Sequence, residues 1–87
     1  MYVIMVYDVN VQRVAKVLQT GRKYLTWVQN SVMEGPLTRT QFRRLKAEIM
    51  KIIDEKEDSV LFYTFRSERD VRRENIGVIK GEPENII

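Results

Sequence analysis

From Tyr2 to Tyr7 the chain is apolar without a break, and the run stops at the carboxylate of Asp8. An uninterrupted apolar strand is buried on both faces, so it belongs in the middle of a sheet. That placement commits the rest of the chain to flanking strands and to helices that cover the sheet. The last residue of such a strand emerges at the sheet's carboxyl edge, where α/β proteins commonly bind ligands. Asp8 therefore has two readings. Just before a helix it suits capping; as an edge carboxylate it suits a hard cation such as magnesium. On residue chemistry alone, capping is the stronger of the two.

Beyond Asp8, Asn10 is placed to cap a helix whose apolar positions Val11, Val14, Ala15 and Leu18 form one stripe. Gly21 reads as its C-terminal stop, followed by Arg22 and Lys23, where a helix end favours cations. Tyr24 to Glu34 is β-rich, with Gln29 and Asn30 interrupting it, and fits either two short strands or one bent strand. Gly35 and Pro36 end it. The second helix has the strongest start signal in the chain. Thr38 and Gln41 form a capping box, and Leu37 and Phe42 stand at the staple positions. Phe42, Leu45, Ile49, Ile52 and Ile53 supply its core stripe, while Arg44–Glu48 and Lys51–Glu55 are i,i+4 pairs on the wet side. Asp54 to Asp58 is a charged turn, and Val60 to Phe65 is a strand rich in aromatics. Arg66 to Asn75 is a charged connector, and Ile76 to Ile79 reads as one more short strand.

This order predicts an α+β fold, the ferredoxin-like β-α-β-β-α-β sandwich with an extra C-terminal strand. Residues 1–80 form a single domain and 81–87 a C-terminal tail. Two helices cover one face of the sheet, and the other face carries apolar side chains that a chain of 87 residues would leave wet. A homodimer follows, with the strand near Ile76–Ile79 pairing across the interface.

Composition removes several chemistries. Without cysteine there is no disulfide or thiolate metal site, and without histidine there is neither imidazole catalysis nor the usual zinc ligand. No apolar stretch approaches the roughly 20 residues that span a bilayer, and the start lacks a signal-peptide pattern, so the expectation is a cytoplasmic protein with no membrane partner. A net charge of +3 is compatible with nucleic-acid binding without requiring it.

Several local patterns, taken in order, resemble one family. A strand ending in Tyr7-Asp8 leads to a helix with Arg13, Val14 and Ala15. Gln29-Asn30-Ser31-Val32-Met33-Glu34-Gly35 and a polar-capped helix follow, and Asp58-Ser59-Val60 opens an aromatic strand. The chain is similar, from Met1 to about Ile79, to the small CRISPR-associated nuclease of spacer acquisition, the second Cas protein. The resemblance implies a ferredoxin-like homodimer whose two-fold axis brings both copies of Asp8 toward one Mg2+ or Mn2+. It implies a metal-dependent endonuclease acting on RNA or double-stranded DNA, with the CRISPR integrase and protospacer DNA as partners. The alternatives are a non-catalytic scaffold that bridges integrase subunits and protospacer DNA, and an unrelated ferredoxin-like regulatory or toxin-type domain.

With the resemblance, metal binding becomes the preferred reading of Asp8, and Asp8 is the expected catalytic residue and metal ligand. A single carboxylate is a poor magnesium site, whereas two from a dimer plus water suffice. Of the family's arginines, Arg13 alone carries over as a supporting residue. Tyr7 packs under the site or donates a hydrogen bond, and Ser31 reaches substrate or serves the strand. Glu34 lies at the Asp8 edge if its strand runs parallel beside the first; otherwise it is a solvated strand end. Three basic groups offer phosphate contacts: Arg13, Lys16, Arg22 and Lys23; Arg39, Arg43 and Arg44; and Arg66, Arg69, Arg72 and Arg73.

Overall fold

The computed structural model describes residues 1–78. Its elements are β1 (Tyr2–Asp8), α1 (Val11–Arg22), β2 (Thr26–Gln29), β3 (Val32–Pro36), α2 (Arg39–Ile52) and β4 (Ser59–Phe65), followed by a 3-10 turn at Glu68–Asp70. The strands form one antiparallel sheet in the order β2-β3-β1-β4, with β1 inside it as its apolar run requires. This is the expected ferredoxin-like α+β arrangement. Among the described residues, no helix is long and apolar enough to cross a membrane.

Alternation along β1 divides its side chains between two environments. Val3, Met5 and Tyr7 face the helices and join Val17 of α1, Met33 of β3, and Leu45 and Ile49 of α2 in the core. Tyr2, Ile4, Val6 and Asp8 share the opposite face, paired across to Phe65, Tyr63, Leu61 and Ser59 of β4. On that face Leu61 and Tyr63 stay about half exposed, at 48% and 51%. The wet apolar face foreseen from the sequence is present there. It is interrupted where residues 71–75 lie against Ile4, Val28 and Val32, bounding a cavity of about 380 Å3.

The helix starts follow the local chemistry. Asn10 accepts from the Gln12 N–H at 2.9 Å, and Thr38 and Gln41 bond reciprocally as a capping box, each cap contributing about 1 kcal/mol. The α2 stripe is as expected. The α1 stripe is not: Val11 and Ala15 are exposed, while Val17, Thr20 and Gly21 are buried beside the half-buried Val14 and Leu18. Gly21 does not stop the helix either, since α1 continues to Arg22 with Lys23 as its C-cap. Glycine stands there because a Cβ would lie 2.5 Å from Met33 Sδ, in a core where Met33 is fully enclosed.

The open question between residues 24 and 34 resolves as a hairpin. β2 and β3 pair antiparallel with a register shift between Trp27 and Gln29, and Asn30 takes the left-handed φ of 42° at the turn. Asn tolerates that conformation better than most residues. Tyr24 and Leu25 precede β2 rather than belonging to it. Two wet-side helix pairs also differ from expectation. Glu48 bonds Lys23 at 2.7 Å and the Tyr24 hydroxyl instead of Arg44, and α2 ends at Ile52, before Glu55. The strand expected at Ile76–Ile79 does not form over residues 76–78. Ile76 is 98% exposed, and no strand among the described residues of the single chain pairs with this segment, so the ladder a strand needs is not supplied within it. Ile79 and the tail at 81–87 lie outside the described residues.

Candidate active site at the end of the first strand

Asp8 is the last residue of β1 and is exposed on the sheet face opposite the helices. Its backbone is paired with Ser59 at the start of β4. Because Asn10 supplies the side-chain cap of α1, Asp8 is not needed for capping. Its carboxylate takes no hydrogen bond or ion pair from the described residues. The competing explanation for this residue is thus removed by its neighbour two positions on.

The corner that carries Asp8 is tied on both sides. Toward β3, the Tyr7 N–H donates to the Ser31 carbonyl at 3.0 Å. The Tyr7 ring is buried with the helix-facing core, and its hydroxyl reaches the Asn30 carbonyl at 3.4 Å. Burial raises the Tyr7 pKa above its ordinary value. Tyr7 therefore packs beneath the corner instead of reaching toward Asp8, and Ser31 contributes through its backbone. Toward β4 stands Asp58, whose side chain is fully enclosed. Its carboxylate accepts from Arg13 Nε at 2.6 Å, Arg13 Nη2 at 3.0 Å, the Asn10 N–H at 2.9 Å and the Asp54 N–H at 2.8 Å.

Arg13 is consequently engaged with a buried carboxylate and, at 3.5 Å, with Glu57, and is not extended toward Asp8 or a ligand. Its hydrogen bond to Asp58 raises its own pKa and holds the Asp58 carboxyl well below the usual carboxylate range, with the Asn10 and Asp54 N–H groups adding to the effect. Asp58 appears in the sequence motif that opens β4 but has no role legible there. Its partner lies 45 residues away, and no local spacing signals such a pair.

The sign of the linked stability follows from that depressed pKa. A carboxyl whose folded pKa is lowered stabilises the fold above its ordinary value near 3.8, and the contribution disappears as pH falls below it toward the folded pKa. The melting-temperature gap between wild type and Asp58→Asn is therefore expected to be widest from pH 5 to 8 and to narrow below about pH 4. Circular-dichroism melts between pH 7 and pH 2 measure this, and a gap independent of pH contradicts it.

Glu34 is a correction. β3 runs antiparallel to β1 and places Glu34 opposite Ile4, about 13 Å along the strand from Asp8 at roughly 3.3 Å per residue. It is neither an edge carboxylate nor a solvated strand end. At 6% exposure it accepts from the Tyr2 hydroxyl at 2.6 Å and pairs with Arg73. A buried charge persists only when paired and hydrogen-bonded, as this one is.

The candidate phosphate contacts are dispersed. Lys16 is exposed at the middle of α1. Arg22 lies 5.2 Å from the Trp27 ring centroid, and Lys23 is bound to Glu48, both at the far end of α1. Arg39, Arg43 and Arg44 are exposed on the first half of α2, which begins beside the start of β1, and none has an ion pair with a described residue. Arg39 lines a shallow depression with Met1 and Arg66 there. Arg69 and Arg72 are exposed, and Arg73 is committed to Glu34. One chain thus does not gather these cations around Asp8. Among the described residues there is also no group of three or more His, Cys, Asp or Glu able to hold a metal ion. At the Asp8 corner, the described residues of a single copy offer one unpaired carboxylate, Asp8 itself.

Comparison with known proteins places this geometry in context. The family described as CRISPR associated protein Cas2 matches residues 1–73. The CRISPR-associated endoribonuclease Cas2 of Thermotoga maritima is 58% identical over 82 residues, 94% of each chain. The protein of the same name from Dictyoglomus turgidum is 54% identical over the full length of both. A crystal structure of a Cas2 protein superposes with a TM-score of 0.86 at 44% identity, covering 100% of this chain and 98% of the other. A family match over most of the chain, full-length relatives at this identity and the close superposition on a Cas2 structure agree, and the chain belongs to the CRISPR-associated Cas2 family.

Proposed function

We propose that this chain is a metal-dependent endonuclease of CRISPR spacer acquisition, acting on RNA or duplex DNA as a homodimer in which two copies of Asp8 share one Mg2+ or Mn2+. The observation that carries the reading is the exposed Asp8 carboxylate, which bonds none of the described residues and is not needed as a cap because Asn10 caps the helix. A lone carboxylate holds magnesium poorly, and a second copy supplies the other. The half-exposed Leu61 and Tyr63 and the exposed Ile76 and Val78 give that copy apolar surface to cover.

Within such a site each Asp8 holds the cation at the sheet edge, Tyr7 and Ser31 fix the corner from the β3 side, and Arg13 and Asp58 fix it from the β4 side. The bound cation supplies activation of water and neutralisation of phosphate charge. With no imidazole in the chain, these two effects are what hydrolysis at this site would draw on. The relatives' name, endoribonuclease, makes RNA the first substrate to test.

Arg39, Arg43 and Arg44, at the end of the sheet away from Asp8 and without an ion pair among the described residues, favour a second reading. In it the dimer is a scaffold for protospacer DNA docked to the CRISPR integrase, with contacts that are independent of sequence and sensitive to salt. Cleavage of labelled RNA and duplex DNA, with Mg2+, Mn2+ or chelator, is measured beside light scattering of the same sample. The nuclease reading expects a dimer whose cleavage ceases with chelator. Cleavage that survives chelation, or a monomer that cleaves as well as a dimer, overturns it. Duplex binding without cleavage leaves the scaffold.

A further inference from the structure

We propose that the buried Asp58–Arg13 pair is the positioning element of the Asp8 corner: it sets where the Asp8 carboxylate stands, and thereby how well two copies can share a cation. The proposal rests on the nuclease reading for its functional consequence, but its structural content is testable without it.

The bonding around Asp58 has a direction. Three of its four hydrogen bonds, from the Asn10 N–H and from Nε and Nη2 of Arg13, come from the segment that follows Asp8. The Asp54 N–H belongs to its own turn, which is closed again by the Asp58 N–H donating to the Asp54 carbonyl at 2.7 Å and the Glu57 N–H donating to it at 3.0 Å. Asp58 is therefore a fixed point on one turn that grips the next segment two and five residues beyond Asp8. Its immediate neighbour Ser59 is the β-sheet partner of Asp8 itself. The strand end, the turn after it and the first helical turn are all referred to one enclosed carboxylate.

Two physical consequences follow. First, a ligand at the end of a strand is useful only if it is held to within about 0.5 Å of its productive position, and such precision comes from the groups behind it. The Asp8 side chain has no hydrogen bond to any described residue to fix it, so its placement is inherited from the backbone corner. Second, in a two-fold dimer any displacement of the corner occurs in both copies. The separation of the two carboxylates then changes by as much as twice the displacement. A clamp worth little to a one-ligand site matters more in a site assembled by symmetry.

The geometry also separates positioning from direct action by Arg13. Nε and Nη2 are both directed at Asp58, the fork–fork arrangement that arginine makes and lysine does not. Charge alone at position 13 will not replace it.

The test uses the full-length protein and Mn2+ alone as probe. Wild type, Asp58→Asn, Arg13→Lys and, as control, Glu48→Gln are compared; the control removes the charge of the carboxylate that accepts from Lys23 and Tyr24 just past the other end of α1. The readouts are Mn2+ affinity by calorimetry, kcat and KM on RNA, and amide hydrogen exchange over residues 8–14, all below each variant's melting temperature. Asp58→Asn and Arg13→Lys are expected to weaken Mn2+ binding about tenfold or more, to lower kcat by a similar factor with KM little changed, and to speed exchange over residues 8–14. Glu48→Gln is expected to lower thermal stability while leaving Mn2+ affinity and that exchange as in wild type. Wild-type Mn2+ affinity in Asp58→Asn and Arg13→Lys overturns the proposal, as does equal loss in the control. If wild type itself binds no Mn2+, the nuclease reading fails. The clamp is then decided by exchange: unchanged protection over residues 8–14 in Asp58→Asn overturns it, and faster exchange there alone upholds it.

Discussion

Asp8→Asn is expected to lower metal-dependent cleavage by at least about 100-fold while moving stability by no more than about 0.5 kcal/mol. The two halves of this result have different causes. The substitution keeps the size of the side chain and removes a charge that bonds no described residue, at an exposed position whose helix is capped by Asn10. The fold therefore has little to lose. A shared cation loses both of its carboxylates at once, because each copy carries the change, and amide oxygens are weak substitutes for a hard divalent ion. Single-turnover cleavage of RNA at saturating Mg2+, beside a melt of the same preparation, reads both effects. Cleavage unchanged in the variant would show that the activity belongs elsewhere, and a large fall in melting temperature would show that Asp8 is structural after all.

Leu45→Ala carries the largest expected effect on stability. Leu45 is fully enclosed near the middle of α2, within the core that includes Val3, Met5 and Met33. Truncating such a leucine removes transfer free energy and leaves a cavity, together about 2–5 kcal/mol. A domain of this size has a total stability on the order of 5–10 kcal/mol, so a fall in melting temperature of more than about 10 °C is expected. If two copies associate through the open sheet face, both proteins will melt at temperatures that rise with concentration, and the comparison belongs at matched concentration. A change of only two or three degrees would mean that α2 is not packed as described.

The contrast between the two helices shows how far local pattern reaches. α2 has one apolar stripe, a reciprocal cap and a staple pair, and every one of those signals points to the same face. α1 contains two overlapping stripes with identical spacing, 11-14-15-18 and 14-17-18-21. Nothing within the helix ranks them, since the second is completed by a glycine that hydrophobicity does not count. The sheet ranks them, because only the second lets Met33 lie against Gly21. The same limit applies to the site. Asp8 was legible as a strand-ending carboxylate and Asn10 as a cap, but the partners of Arg13, Glu34 and Glu48 come from elements 45, 39 and 25 residues away.

What the amino-acid sequence determined by itself was everything governed by short-range chemistry. The central strand follows from an unbroken apolar run, the helix starts from their caps, and the α+β order from the change of period along the chain. What only the tertiary structure decided was pairing. β3 proved antiparallel to β1 and removed Glu34 from the Asp8 edge. Arg13 proved to be bound to Asp58 behind the site, and the segment at Ile76 found no partner strand among the described residues. Register and ion-pair choice depend on distances set by the whole fold, because a charge selects the opposite charge that burial brings within reach and not its neighbour along the chain.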